Sequence, residues 1–346
     1  MWLKMEDKEA PKRKELQPAY VLIIAIAVVV VALLALYEFS GVQFNLGYIL
    51  NPPEKLSLIA IVTISLILGV MHGATPDEHT WPITFSYAVG SYSTMKGMKA
   101  GFAFSAGFTF QRALLTTLGF IGLAAIYKAY NLDGPVYIIV GIAMFVAGAY
   151  ILNKKKYLHI PIDALLGSKE HRSSFSAKLR VGEPEPKQIP LKMAVVHGLI
   201  AGWGFGPYAT IITFILAPQV PSLIYAPLPG LFFGLGTMIM QIIFGGLFAN
   251  IARLKKLSIA QVSYVGRKTA GRTLFYGGFI FALIGALIIA FPVLDNIAIS
   301  TGNPIPNLDS VGVATVLVLL VVGVVGIGSL ILGIRELLAY KEHVTG

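Results

Sequence analysis

Long apolar runs alternate with short polar stretches along nearly the whole chain. A helix needs about 20 mostly apolar residues to cross the hydrocarbon core of a bilayer. By run length and periodicity, eight stretches qualify: 19–37, 56–92, 97–127, 135–152, 190–217, 223–252, 273–293 and 311–334. The pattern predicts an all-α polytopic membrane protein of about eight transmembrane helices. The first run, Tyr20 to Tyr37, exceeds the apolar core of a secretory signal and lacks a clear small-residue cleavage site, so it reads as a retained span.

Composition agrees. Mean hydropathy is +0.75 and only 13% of residues are charged, which excludes an ordinary soluble fold. The formal charge of +10 would suit nucleic acid in a soluble protein, but in a membrane protein the placement of Lys and Arg decides. With the N terminus in the cytoplasm, all of the 27 Lys and Arg except Lys55, Lys128 and Arg112 fall on the inner side. Both termini are therefore expected to be cytoplasmic, in a multi-pass protein of the cytoplasmic membrane. The lipid bilayer is then the partner of the basic loops, and nucleic acid is not. Two inner loops, 153–191 and 253–272, hold most of the charge. The absence of cysteine excludes disulfides and thiolate metal sites.

The expected organisation is a cytoplasmic tail at 1–18, an N-terminal membrane half at 19–152 (spans 1–4) and a basic cytoplasmic loop at 153–189. A C-terminal membrane half at 190–334 (spans 5–8) and a tail at 335–346 follow. The two halves share a pattern. Shifted by 125 residues, His72-Gly73 falls on His197-Gly198 and Pro82 on Pro207, and each of these spans has a helix-breaking middle, ATP or AGWGFG. In the next span Phe104-Ser-Ala-Gly107 answers Phe233-Gly-Leu-Gly236, each followed by a glutamine, Gln111 or Gln241. Three-span units, 2–4 and 5–7, would cross the bilayer in opposite senses. Inverted repeats of this kind build secondary transporters, whose sites lie where interrupted helices meet.

The chemistry is concentrated in His72-Gly-Ala-Thr-Pro-Asp77-Glu78-His79. Ionisable groups at membrane depth cost about 2.5 to 3.5 kcal/mol each on insertion scales, so two imidazoles and two carboxylates need a compensating partner. A cation is the simplest one. Pro76 removes a backbone donor and disfavours helix at Thr75, and an unwound turn there could bring Asp77 toward the imidazoles. Neutral imidazoles with carboxylates suit divalent nickel, cobalt, zinc or iron better than calcium or magnesium. The expected metal residues are His72, Asp77 and His79, with Glu78 and, from the second half, His197 assisting. Arg112 is expected to pair with Asp77 or Glu78, and Gly202, Gly204 and Gly206 to permit rocking. A proton relay without metal also fits these groups.

At HGATPDEH the sequence resembles the nickel/cobalt transporter family and its relatives, whose second span carries a histidine, four residues, then aspartate and histidine. Here Glu78 stands between Asp77 and His79 as one extra residue. Pro76-Asp77 resembles the proline-aspartate pair of such motifs. The chain departs from the family where members carry a histidine in an FSLGHS-like motif and an acid in an LGFDT-like motif. It reads Phe104-Ser-Ala-Gly-Phe108-Thr109 and Leu235-Gly-Thr237-Met238 at those places. The resemblance implies eight spans, cytoplasmic ends and paired three-span units.

The expected function is a secondary transporter of divalent transition-metal cations, nickel or cobalt first, working by alternating access. The metal is substrate, with no resident cofactor, and no catalytic activity is expected. No Walker loop is present to bind nucleotide. A carrier of another solute and an intramembrane zinc-dependent hydrolase stay open as alternatives, although no HExxH motif is present. The sequence also leaves room for a homo-oligomer.

Overall fold

The computed structural model describes residues 45–91, 93–152, 190–251 and 259–345. The expected first span at 19–37 and the loop at 153–189 lie outside the described residues. A short helix, α1 (Leu46–Leu50), is capped by Asn45, whose Oδ1 accepts from the Tyr48 amide at 2.8 Å. Helix α2 (Leu58–Ala74) starts at Ser57, whose hydroxyl accepts from the Ala60 amide. It ends where Pro76 holds Thr75 extended, at φ −86° and ψ 149°. The chain re-enters helix as α3 (Trp81–Val89), with Pro82 in its first turn.

Helices α4 (Thr94–Phe120), α5 (Ala125–Ala129) and α6 (Asp133–Leu152) follow. Helix α7 (Leu191–Ala201) breaks at the Gly-rich turn Gly202 to Gly206, and α8 (Pro207–Thr210) continues through a π-helical stretch, Ile211–Leu216. Then come α9 (Leu228–Ile251) and α10 (Ile259–Ala290). A two-residue strand β1 (Ile299–Ser300) pairs antiparallel with β2 (Ser310–Val311). Beyond it α11 (Val313–Val318) runs through a π-helical stretch, Leu319–Ile327, into α12 (Gly328–Thr345).

Among the described residues, four segments are long and apolar enough to cross a membrane: Asp133–Leu152, Leu223–Ile251, Gln261–Ala290 and Val313–Leu337. Leu58–Ala74 and Leu191–Ala201 are shorter apolar helices. The architecture is thus largely helical and multi-span. Exposed Phe102, Phe110, Phe279 and Val324 give the helices an apolar outer surface, as lipid requires. One expectation is corrected: 259–272, read as part of a basic loop, is helical and extends α10. Two of its cations are partnered by α12, where Glu336 receives Lys268 at 2.8 Å and Arg272 at 3.1 Å.

Helix α4 packs along α9, and α6 along α10. Each discontinuous helix lies against the long helix of the other half, α2 on α9 and α7 on α4. The approach is close because glycines face carbonyls across both contacts. A Cβ at Gly69 would collide with the Phe233 carbonyl, and one at Gly198 with the Phe104 carbonyl. Without a hydrophobic force between helices in lipid, such backbone approach supplies the packing energy.

Candidate functional site

The break between α2 and α3 is where the polar groups gather. Thr80 and Trp81 amides donate to the Asp77 carbonyl at 3.3 and 3.0 Å, and the His79 amide donates to Asp77 Oδ1 at 3.0 Å. Asp77 therefore closes an Asx turn that restarts the helix after proline. One oxygen does this structural work, while Oδ2 lies 3.9 Å from His72 Nε2.

Asp77, Glu78 and His79 each offer a donor atom, all within 4.8 Å of one another, and all three side chains are buried. His79 Nδ1 lies 2.9 Å from Glu78 Oε1, which also accepts from the Tyr137 hydroxyl at 3.1 Å. The Tyr137 ring stacks on His79, with centroids 5.1 Å apart and planes at 9°. Phe281 meets the imidazole edge-on at 6.3 Å. His79 Nε2 is buried without a hydrogen-bond partner among the described residues. The chain thus holds a buried acidic and imidazole cluster whose donor types and spacing could bind a metal ion.

His72 sits at the margin of this cluster, in an aromatic setting. It stacks on Tyr208 at 5.8 Å and contacts Phe108 and Phe233 at 5.6 and 5.0 Å. His197 lies elsewhere: its Nδ1 is 2.9 Å from both the Tyr87 hydroxyl and the Met193 carbonyl. Thr75 donates to the Met71 carbonyl at 3.0 Å, bracing the last turn of α2. Gln241 donates to the Gly73 carbonyl at 3.4 Å, and the buried Gln111 lies against Gly202.

Arg112 does not pair with Asp77 or Glu78 as expected, since neither carboxylate lies within 4.0 Å of it among the described residues. Its Nη2 donates instead to the Gly204 carbonyl at 2.9 Å, and its guanidinium lies over the Phe108 ring at 4.7 Å. Its charge acts on Asp77 and Glu78 only through space. The acids do not need a direct guanidinium contact because Tyr137, His79 and the Asx turn already satisfy oxygens of both.

Two contributors, Tyr137 and Tyr208, carry no signal in their own segments beyond a phenol in an apolar run, whose hydroxyl must find a partner when buried. Both come from other spans. Gly204 touches the His79 ring, so no side chain fits there. The segment joining β1 to β2 reaches both breaks. Asn307 Nδ2 donates to Thr75 Oγ1 at 3.3 Å, and the Tyr208 hydroxyl donates to the Pro306 carbonyl at 3.2 Å.

Beside the cluster lies a cavity of about 340 Å³ lined by Tyr127, Asp133, Phe205 and Asp295 among others. Tyr127 donates to Asp133 Oδ1 at 2.8 Å. Burial, and then the nearby Glu78 charge, push the Asp295 carboxyl above the usual carboxylate range. No protein-family model, curated protein or solved structure matches the chain. Function is therefore argued from the site.

Proposed function

We propose that the chain is a secondary transporter of a divalent transition-metal cation, with nickel and cobalt the first candidates, in the cytoplasmic membrane. The observation that carries this is the convergence of Asp77, Glu78 and His79 within 4.8 Å at the break of a discontinuous helix. Two carboxylates and an imidazole form a borderline donor set with no thiolate, which favours exchange over tight storage. His72, 3.9 Å from Asp77, offers a second imidazole. Glu78 is held by Tyr137, so its orientation is set before an ion arrives.

Alternating access fits the order of elements. Each half runs as a broken helix followed by two long ones, and each broken helix packs on the other half's first long helix. The glycine contacts are reciprocal too, Gly69 on Phe233 and Gly198 on Phe104. These features support two inverted three-helix repeats rocking about a central site. The inner-side bias of Lys and Arg supports cytoplasmic ends. His197, bonded to Tyr87 and Met193, belongs in this scheme to the scaffold of the second half.

Proteoliposomes containing the full chain and a metal-sensitive dye test the proposal. Saturable nickel or cobalt entry is expected, falling more than about tenfold in His79→Ala and Glu78→Gln, a loss of at least about 1.4 kcal/mol in binding. Undiminished flux in both variants would remove the cluster from the function.

A further inference from the structure

Next to the cation cluster is a second group of polar atoms that the metal proposal does not use. Arg112 is only 2% exposed, yet among the described residues Nε and Nη1 have no hydrogen-bond partner, and Nη2 is bonded to the Gly204 carbonyl. The adjacent Gln111, equally buried, has both amide atoms unpartnered and lies against Gly202. Arg112 thus bonds, and Gln111 abuts, one turn, Gly202 to Gly204, and Gly204 also lies against the His79 ring. Burying an unsatisfied guanidinium is among the most expensive arrangements a membrane protein can hold. A guanidinium N–H left open donates strongly to an oxyanion, and an amide beside it can both donate and accept.

Charge balance points the same way. Formally, Asp77 and Glu78 contribute two negative charges, Arg112 one positive charge and a divalent ion two more. The loaded site carries one net positive charge at membrane depth, which a monovalent anion on Arg112 cancels.

Building on the metal reading, we propose that Arg112 and Gln111 form an oxyanion subsite and that the divalent ion is carried together with a small planar monoanion of the carboxylate or bicarbonate class. The anion and the cation occupy opposite sides of the Gly204 turn, so each favours the binding of the other.

The test measures nickel affinity of the full-length chain in detergent, first with methanesulfonate as the only anion and then with added acetate or bicarbonate. Binding should tighten at least tenfold with one of the two. Complexation in free solution works in the opposite direction, so tightening is not its artefact. Arg112→Gln should abolish the gain. Gln111→Ala, which keeps the guanidinium, should reduce it and serves if Arg112→Gln fails to fold. Radiolabelled acetate and bicarbonate, each supplied with nickel to proteoliposomes, separate the two sources by which one accumulates with the metal. Nickel binding that is indifferent to both anions overturns the subsite while leaving the metal proposal intact. Absence of nickel binding with every anion overturns the metal proposal, and this one with it.

Discussion

Gly204→Ala probes the site from a residue that is distant in sequence from Asp77, Glu78 and His79. A methyl group there would stand 2.6 Å from His79 Cε1 and Nδ1 and 2.7 Å from Nε2. Ordinary carbon contacts begin near 3.4 Å, so the imidazole or the turn must give way by about 0.8 Å. The ring is held by the 2.9 Å contact with Glu78 and by the stack on Tyr137, and an escape of that size loosens at least one of them. Losing a hydrogen bond to a charged group costs about 1.5 to 3 kcal/mol. Metal sites tolerate ligand displacements of only about 0.2 Å. Nickel or cobalt affinity should therefore fall about 10-fold to 100-fold, read by competition with a metallochromic chelator. Gly206→Ala is the control, because nothing lies within 4 Å of the added carbon, and it should bind as the parent does. Full affinity in Gly204→Ala would show that His79 holds no ion.

Tyr137→Phe should lower metal affinity about tenfold by releasing Glu78 Oε1, measured in the same competition assay. His197→Ala should keep metal stoichiometry but lose about 1 to 3 kcal/mol of stability by orphaning the buried Tyr87 hydroxyl, seen in thermal unfolding in detergent. Asp295→Asn should shift stability in a pH-dependent way. A carboxyl raised in the folded state binds more protons there, so the parent loses stability as pH rises from about 4 through the raised value. The variant should therefore be the more stable above that window and should match the parent below it, and equal unfolding temperatures across the range would refute the cause assigned.

The breaks in both discontinuous helices were legible because their causes are local: Pro76 acts on Thr75, and glycines cluster between Ala201 and Pro207. The long apolar helices were legible from run length for the same reason. The start of α10 was not. Lys268 and Arg272 look like loop residues until Glu336, on another helix, is brought beside them. The partner of Arg112 is set by the fold in the same way. Charge alone suggested a carboxylate partner, whereas the fold offers it an aromatic face and a carbonyl exposed by the Gly-rich turn. The placement of Asp77 depended on an Asx turn that Pro-Asp foreshadows, but the closeness of Tyr137 and Gly204 depended on helix packing that no single segment encodes.

The strand-linking segment has a mechanical consequence. Through Asn307 it is fastened to the end of α2 at Thr75, and through Pro306 to Tyr208 in α8. One short span of chain thus tethers both interruptions at once, like a strap joining two hinges. Separating them by more than about an ångström stretches at least one fastening past useful length, at a cost near 1 kcal/mol. That is weak enough to yield to a modest force and strong enough to keep the two breaks together at rest.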